Sequence, residues 1–363
     1  MKESNATGGK MDWEFAGVVP NPWGEITATA GGEVVVPKVR EYMDKIGQIA
    51  KKRDCSSRRH HYVPQAYLRS WSADGKRVRV LDLRRGTDGL RGIRDTCVRE
   101  NFYRVPDVKN NPHNQVEAML AVIDEEAARL LRIFKAWTPG DDVLLEDFMS
   151  LAVIMAFQYS RTPQIRRYFE NQRSWLIERA GQPYKEFTTT NFVDFIFRST
   201  YQLADQFSLR QMEIWDDPKG RFITSDRPIF MSQDGKYSKP SLVNSRHVFW
   251  PLSPRRIIVM SSINYGVKVR HFSLSRAKVD ETRGSVIKNA EEVVVATPGD
   301  WNLPAGKIRK KRPQMHIECE PLRSGKECGI RMTWWYGSDT IDRACKPLCA
   351  MKKISDATSN FNN

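Results

Sequence analysis

Residues 114–137 read NQVEAMLAVIDEEAARLLRIFKAW, and the spacing of apolar positions in this stretch decides the fold class. Val116, Met119, Leu120, Ile123, Ala127, Leu130, Leu131 and Phe134 recur three or four apart, the period that puts side chains on one helical face. A helix over 114–137 is the expectation, ended by Trp137-Thr138-Pro139-Gly140. Downstream, Leu144 to Ser160 predicts a second helix. Thr162-Pro163, an N-cap followed by proline at the first helical position, restarts a third through Glu178. Residues 188–214, carrying Phe192, Phe195, Ile196, Tyr201, Leu203 and Phe207, predict a fourth.

On both sides of this helical middle the pattern turns to β. Lys76 to Leu83 (KRVRVLDL) predicts a strand by its β-branched, alternating content. Arg84-Arg85-Gly86 and Asp88-Gly89 predict a turn-rich loop, and Arg99 to Val105 a second extended piece. After the helices, strands are expected at Gln211–Trp215, Arg221–Thr224, Val248–Leu252, Arg256–Met260 and Glu292–Ala296, with a helix over Ser275–Glu291. The fold class is α+β, with small β-elements before a helical middle and a mainly antiparallel sheet after it. Residues 58–300 form the expected core. Residues 1–57 read as an N-terminal extension, with a strand at Glu33–Val36 and a helix at Val39–Lys52. Residues 301–363 read as a basic, Cys-containing tail. Its Cys319, Cys328, Cys345 and Cys349 lack the two close pairs that zinc sites use, so an extension is favoured over structural zinc.

The formal net charge of +15 is unevenly spread. Lys plus Arg outnumber Asp plus Glu by 12 to 5 over residues 58–104 and by 12 to 6 over 301–363, but balance at 8 against 8 over 1–57. A basic surface favours a polyanionic partner, nucleic acid or a nucleotide. The N-terminus has no apolar signal region, and no segment reaches the roughly 18 apolar residues that span a membrane. The longest, Phe148 to Phe157, is flanked by Asp147 and Arg161. Six cysteines in 363 residues do not make a disulfide framework, so a cytoplasmic protein with reduced thiols is expected.

Several polar residues stand out as chemistry. Arg58 to Trp71 (RRHHYVPQAYLRSW) holds two of the six histidines, His60 and His61, among arginines and aromatic residues. Imidazole ligates metals and titrates near neutrality; a surface His pair before a short helix after Pro64 is the bland alternative. Glu117 and Asp124 lie seven apart, in line on the flank of the 114–137 apolar stripe. They are placed to bind a metal, orient a histidine or pair with arginine. Gln158 falls where the second helix asks for a hydrophobe, and Arg161 follows at the helix junction. An inward Gln or Arg costs several kcal/mol unless bonded, so such breaks mark functional positions. Ser225-Asp226 ends a strand, either as a functional carboxylate or as an Asx turn capping its own backbone.

His60-His61-Tyr62-Val63-Pro64-Gln65 with Tyr67-Leu68-Arg69 resembles the HHxxPQxxLR opening of an uncharacterised, mostly bacterial family, domain of unknown function 4238. Its later landmarks match in order: the Glu117 helix, Gln158 to Pro163, Thr224 to Pro228 and Pro251 to Pro254. The resemblance covers about residues 58–300. Arg227 stands where that pattern has Asn, and Asp124 where it has Glu.

The family implies no activity, so function is argued from chemistry. His60, His61, Glu117, Asp124 and Asp226 are the candidate ligands for a divalent metal, Mg, Mn or Zn. His60, His61, Gln158, Arg161 and Asp226 are the candidate catalytic groups, with Arg161 stabilising an anion. Arg58, Arg59, Gln65, Arg69 and Ser225 are the candidate substrate contacts. These residues suit a phosphodiesterase or nuclease, metal-assisted or not; the alternative is a non-enzymatic nucleic-acid-binding or nucleotide-sensing protein. No Walker loop, GxGxxG after a strand, HExxH or GxSxG is present, which disfavours ATPase, dinucleotide oxidoreductase, zincin and α/β-hydrolase readings.

Overall fold

The computed structural model describes residues 44–53, 57–107, 109–180, 185–232, 245–263, 269–300, 303, 314–324 and 327–337. Among these, residues up to 303 belong to one compact unit and residues 314–337 to a second.

In the first unit, α1 (44–50) precedes a short strand β1 (Arg59–His61) and a helical turn α2 (Gln65–Leu68), continued by a 3₁₀ turn at Arg69–Trp71. Strands β2 (Arg77–Asp82) and β3 (Thr87–Gly92) form a hairpin, followed by β4 (Val98–Glu100), β5 (Val105–Pro106) and β6 (Pro112–His113). Four helices come next: α3 (Gln115–Ala136), α4 (Leu145–Ser160), α5 (Pro163–Ala180) and α6 (Thr189–Ser208). Then come β7 (Arg210–Asp216), β8 (Thr224–Ser225), β9 (Phe230–Met231), β10 (His247–Ser253), β11 (Arg256–Ile263), β12 (Arg270–Ser273), α7 (Arg276–Asn289) and β13 (Val293–Ala296). The architecture is α+β.

The elements follow local chemistry. Helix α4 cannot run on into α5 because Pro163 lacks an N–H and its ring would strike the preceding turn. The break leaves Arg161 as the C-cap of α4, its N–H on the Phe157 carbonyl. Helix α6 opens with a capping box in which Thr188 and Asn191 satisfy each other's backbone N–H groups. It ends at Ser208 and the chain turns straight into β7, so the helix expected over 188–214 stops early.

Two sheets carry the core. One has the strand order β12-β7-β11-β10-β9, antiparallel except for the parallel β12–β7 pair. The other runs β3-β2-β13-β8, with the all-buried Val293-Val294-Val295-Ala296 near its middle. Leu81, Phe222, Phe230, Ile257, Val279, Val286 and Val294 join the sheets and α7 in one apolar cluster. Burying each such side chain contributes about 1.5–3 kcal/mol. Tyr67 pins α2 to this core, donating to the Pro251 carbonyl at 2.6 Å and bonding the Thr224 hydroxyl at 2.7 Å. Trp71 donates to the Phe222 carbonyl at 3.2 Å.

The β-elements depart from the sequence reading in three places. Of the turn-rich loop expected over Arg84 to Gly89, Arg84-Arg85-Gly86 is a turn, but Asp88-Gly89 lies in strand β3, which pairs along its length with β2. Of the expected 221–224 strand only Thr224 is in a strand, pairing with β13 together with Ser225 just beyond it. The tail is not a plain extension: β14 (Gln314–Ser324) and β15 (Glu327–Gly337) make an antiparallel hairpin. In its register Cys319 faces Met332 and Cys328 faces Arg323, so the two cysteines are not cross-strand partners. The strand expected at Glu33–Val36, the basic 307–313 run, Cys345 and Cys349 lie outside the described residues. No helix among the described residues is long and apolar enough to cross a membrane.

Candidate functional site

Arg161 is the hub of the polar residues singled out by sequence. It is 1% exposed, placed inward by the helix break between α4 and α5. Its Nη2 donates to Gln158 Oε1 at 2.8 Å and lies 2.8 Å from Asp124 Oδ1. Gln158 Nε2 in turn donates to the Tyr62 carbonyl at 3.0 Å, tying the hub to the end of β1. The hydroxyl of Tyr103 donates to the Arg161 carbonyl at 2.8 Å. The two residues that break the α4 pattern are therefore bonded to each other and to the His strand.

Glu117 and Asp124 flank this guanidinium from α3. Burial, with the neighbouring Asp124 charge, pushes the Glu117 carboxyl up to about 8, against the pull of Arg161. Burial also raises Asp124, and the Arg161 guanidinium opposes it. Burial pushes His61 below its ordinary value, helped by Arg59 and Arg161 and opposed by the carbonyls of Ile93 and Arg94. Near neutrality His61 is thus a neutral imidazole and Glu117 a protonated acid. Four buried atoms of this group, His61 Nε2, Glu117 Oε2 and Arg161 Nε and Nη1, lack a well-formed hydrogen bond. Buried polar atoms are nearly always bonded, so their concentration around one guanidinium is unusual.

His60 and Asp226 are placed differently. His60 is fully buried; its Nδ1 accepts the Tyr103 N–H at 3.0 Å and its Nε2 meets the Ser57 carbonyl at 3.0 Å. Because Nδ1 must accept, the ring proton sits on Nε2 and both nitrogens are occupied. Asp226 takes three backbone N–H groups, from Glu291 at 2.9 Å, Glu292 at 2.6 Å and Val293 at 3.3 Å. It fastens the entry of β13 to β8, while burial and the Glu291 charge push its carboxyl up to about 6. His60, His61, Glu117, Asp124 and Asp226 do not assemble as one ligand set. Among the described residues no group of three or more His, Cys, Asp or Glu is arranged to hold a metal ion. Glu117 and Asp124 share α3, and the Arg161 guanidinium already acts on both, pairing with Asp124.

The candidate substrate contacts also separate. Ser225 is buried, its hydroxyl spent on the backbone of Arg227 at 3.0 and 3.1 Å. Arg59 pairs with Asp95 at 2.5 Å. Arg58 and Arg69 are exposed, and Gln65 is half-buried at the start of α2. Sequence reading missed a cleft of about 270 Å³ whose wall includes Arg84, Arg85, Arg91 and Arg99. The signal for it was present as the arginine excess over residues 58–104, but its convergence depended on β2–β3 and β4 meeting.

A family model of proteins of unknown function, DUF4238, matches residues 59–300. The chain belongs to the DUF4238 family. No curated protein and no solved structure matches it.

Proposed function

We propose that this DUF4238 protein is a phosphodiesterase acting on nucleic acid or a nucleotide by acid–base chemistry around Arg161. The observation that carries this reading is the convergence of unsatisfied buried atoms of His61, Glu117 and Arg161. In the proposed step the neutral His61 takes a proton from the attacking water as its oxygen bonds phosphorus. The free N–H groups of Arg161 receive the charge growing on the non-bridging phosphoryl oxygens. Glu117 gives its proton to the leaving oxygen as the phosphorus–oxygen bond breaks. Asp124 and Gln158 position the guanidinium. Environments that push an acid up and a base down within one site fit this division of labour. The guanidinium supplies the positive charge that a Mg, Mn or Zn ion would bring, so the reading needs no metal.

The non-enzymatic alternative, nucleotide sensing, draws on His60 and Asp226, two of the family-pattern residues whose polar atoms are filled by backbone groups. The two readings separate in a cleavage screen over DNA, RNA and nucleotide phosphodiesters, run with chelator and with added Mg, Mn and Zn. The hydrolase reading expects turnover in chelator. No cleavage under any of these conditions overturns the hydrolase reading and favours non-enzymatic nucleic-acid binding or nucleotide sensing.

A further inference from the structure

We propose that the cleft beside Cys97 is a second site, for the phosphate group of a small phosphorylated ligand such as a mononucleotide. It borders the Arg161 centre, since Tyr62 lines the cleft and its carbonyl accepts from Gln158, but it does not depend on any hydrolysis there. The β2–β3 hairpin brings Arg84, Arg85 and Arg91 to one wall, and β4 brings Arg99 to another; Tyr62 and Cys97 complete it. At about 270 Å³ the cleft sits near the lower end of ligand-pocket sizes, which suits a small molecule rather than a polymer.

The charge in the wall is arranged for an anion. Each acid there is already compensated. Asp82 Oδ1 accepts the backbone N–H groups of Arg84 and Arg85, both at 3.0 Å. Asp95 is held by Arg59 at 2.5 Å. Glu292 is held by Arg84 at 3.3 Å, Arg99 at 3.1 Å and Arg167 at 3.2 Å, which keeps its carboxyl below the ordinary range despite burial. That leaves Arg85 with no ion pair among the described residues and Arg91 only 3.8 Å from Asp82. Counting Arg59 and Arg167 with the four wall arginines, and Glu291 and Asp226 with the three wall acids, the guanidiniums remain in excess. A planar guanidinium fork matches phosphate oxygens, so Arg85 and Arg91 are the groups a phosphate would recruit.

The backbone beneath is held in an uncommon shape for this purpose. Cys97 has φ of 54°, in the left-handed region that non-glycine residues avoid, and it turns the chain into β4 so that Arg99 meets the hairpin. Burial pushes its thiol well above the ordinary range, so it is an inert floor rather than a nucleophile.

The test is calorimetric titration of the full chain with AMP, inorganic phosphate and adenosine, repeated on an Arg85→Ala/Arg91→Ala double variant. Neither side chain carries a tight ion pair, so the variant is expected to melt as the wild type does. The expected result is AMP binding that phosphate competes away, no binding of adenosine, and AMP affinity weakened at least about tenfold in the variant. AMP binding that the double variant leaves unchanged overturns the proposal, as does adenosine binding as tightly as AMP. So does the absence of AMP and phosphate binding up to about 10 mM. Titration reads binding and a cleavage assay reads turnover, so failure here and failure of the phosphodiesterase reading are told apart.

Discussion

At the scale of single residues, Glu117 and Arg161 make opposite demands on stability. The folded chain holds the Glu117 proton up to about pH 8, whereas its ordinary value is 4.5. Folding therefore takes up a proton in this window, and the Glu117 contribution to stability falls as pH rises from 4.5 to about 8. A Glu117→Gln variant lacks this dependence. Urea unfolding at pH 5 and pH 8 should show wild type losing ground to the variant, by at most about 1.4 kcal/mol per pH unit. Parallel pH dependence in the two proteins contradicts a protonated Glu117. Arg161→Met should cost about 3 kcal/mol, because it leaves the half-buried Asp124 carboxylate without its cation and Gln158 Oε1 without its donor. Adding Asp124→Asn to that variant should recover part of the loss, which a double-mutant cycle measures. Gln158 was legible in the sequence because it is polar where α4 asks for an apolar residue, and Arg161 because it follows at the helix junction. The role of His60 was not legible, since it depends on Tyr103, 43 residues away, offering its N–H to Nδ1.

At the scale of elements, the joint between β8 and β13 rests on Asp226. Its carboxylate gathers three consecutive backbone N–H groups, those of Glu291, Glu292 and Val293. Asp226→Asn turns an NH₂ toward one of those donors, and a loss of about 2–3 kcal/mol in chemical denaturation is expected. A loss under about 0.5 kcal/mol would show that the joint does not depend on the carboxylate. The helices were legible because α3, α4 and α7 each carry several turns of pattern with clear stops such as Pro139-Gly140 and Pro163. Strand β3 was not. Its sequence TDGLRG has two glycines and turn-forming residues, and it is extended only because β2 pairs with it. Likewise β1 and β4 are three residues each, too short for a period-two signal, yet their pairing sets His61 opposite Val98.

At the scale of the molecule, the α+β class and the order of the long helices and of strands β2, β7, β10, β11 and β13 followed from periodicity. Which of the conspicuous polar residues share a site did not, because long-range geometry divides that set into two kinds. Asp124 and Gln158 bond the Arg161 guanidinium, whose charge also acts on His61 and Glu117, while His60, Ser225 and Asp226 hold backbone together. The arginine excess over residues 58–104 was visible as composition, and only the meeting of β2–β3 with β4 turns it into a cleft. If the gathered group does chemistry, its pH–rate profile should be flat-topped, rising as His61 loses its proton below 6.5 and falling as Glu117 ionises near 8. The direct measurement is cleavage of a dinucleotide phosphodiester by wild type and Glu117→Gln at pH 7 in the presence of chelator. Wild type should turn over, and the variant, folded at least as stably, should be slower by about 100-fold or more. Equal rates for the two proteins, or no cleavage by wild type, would contradict the account.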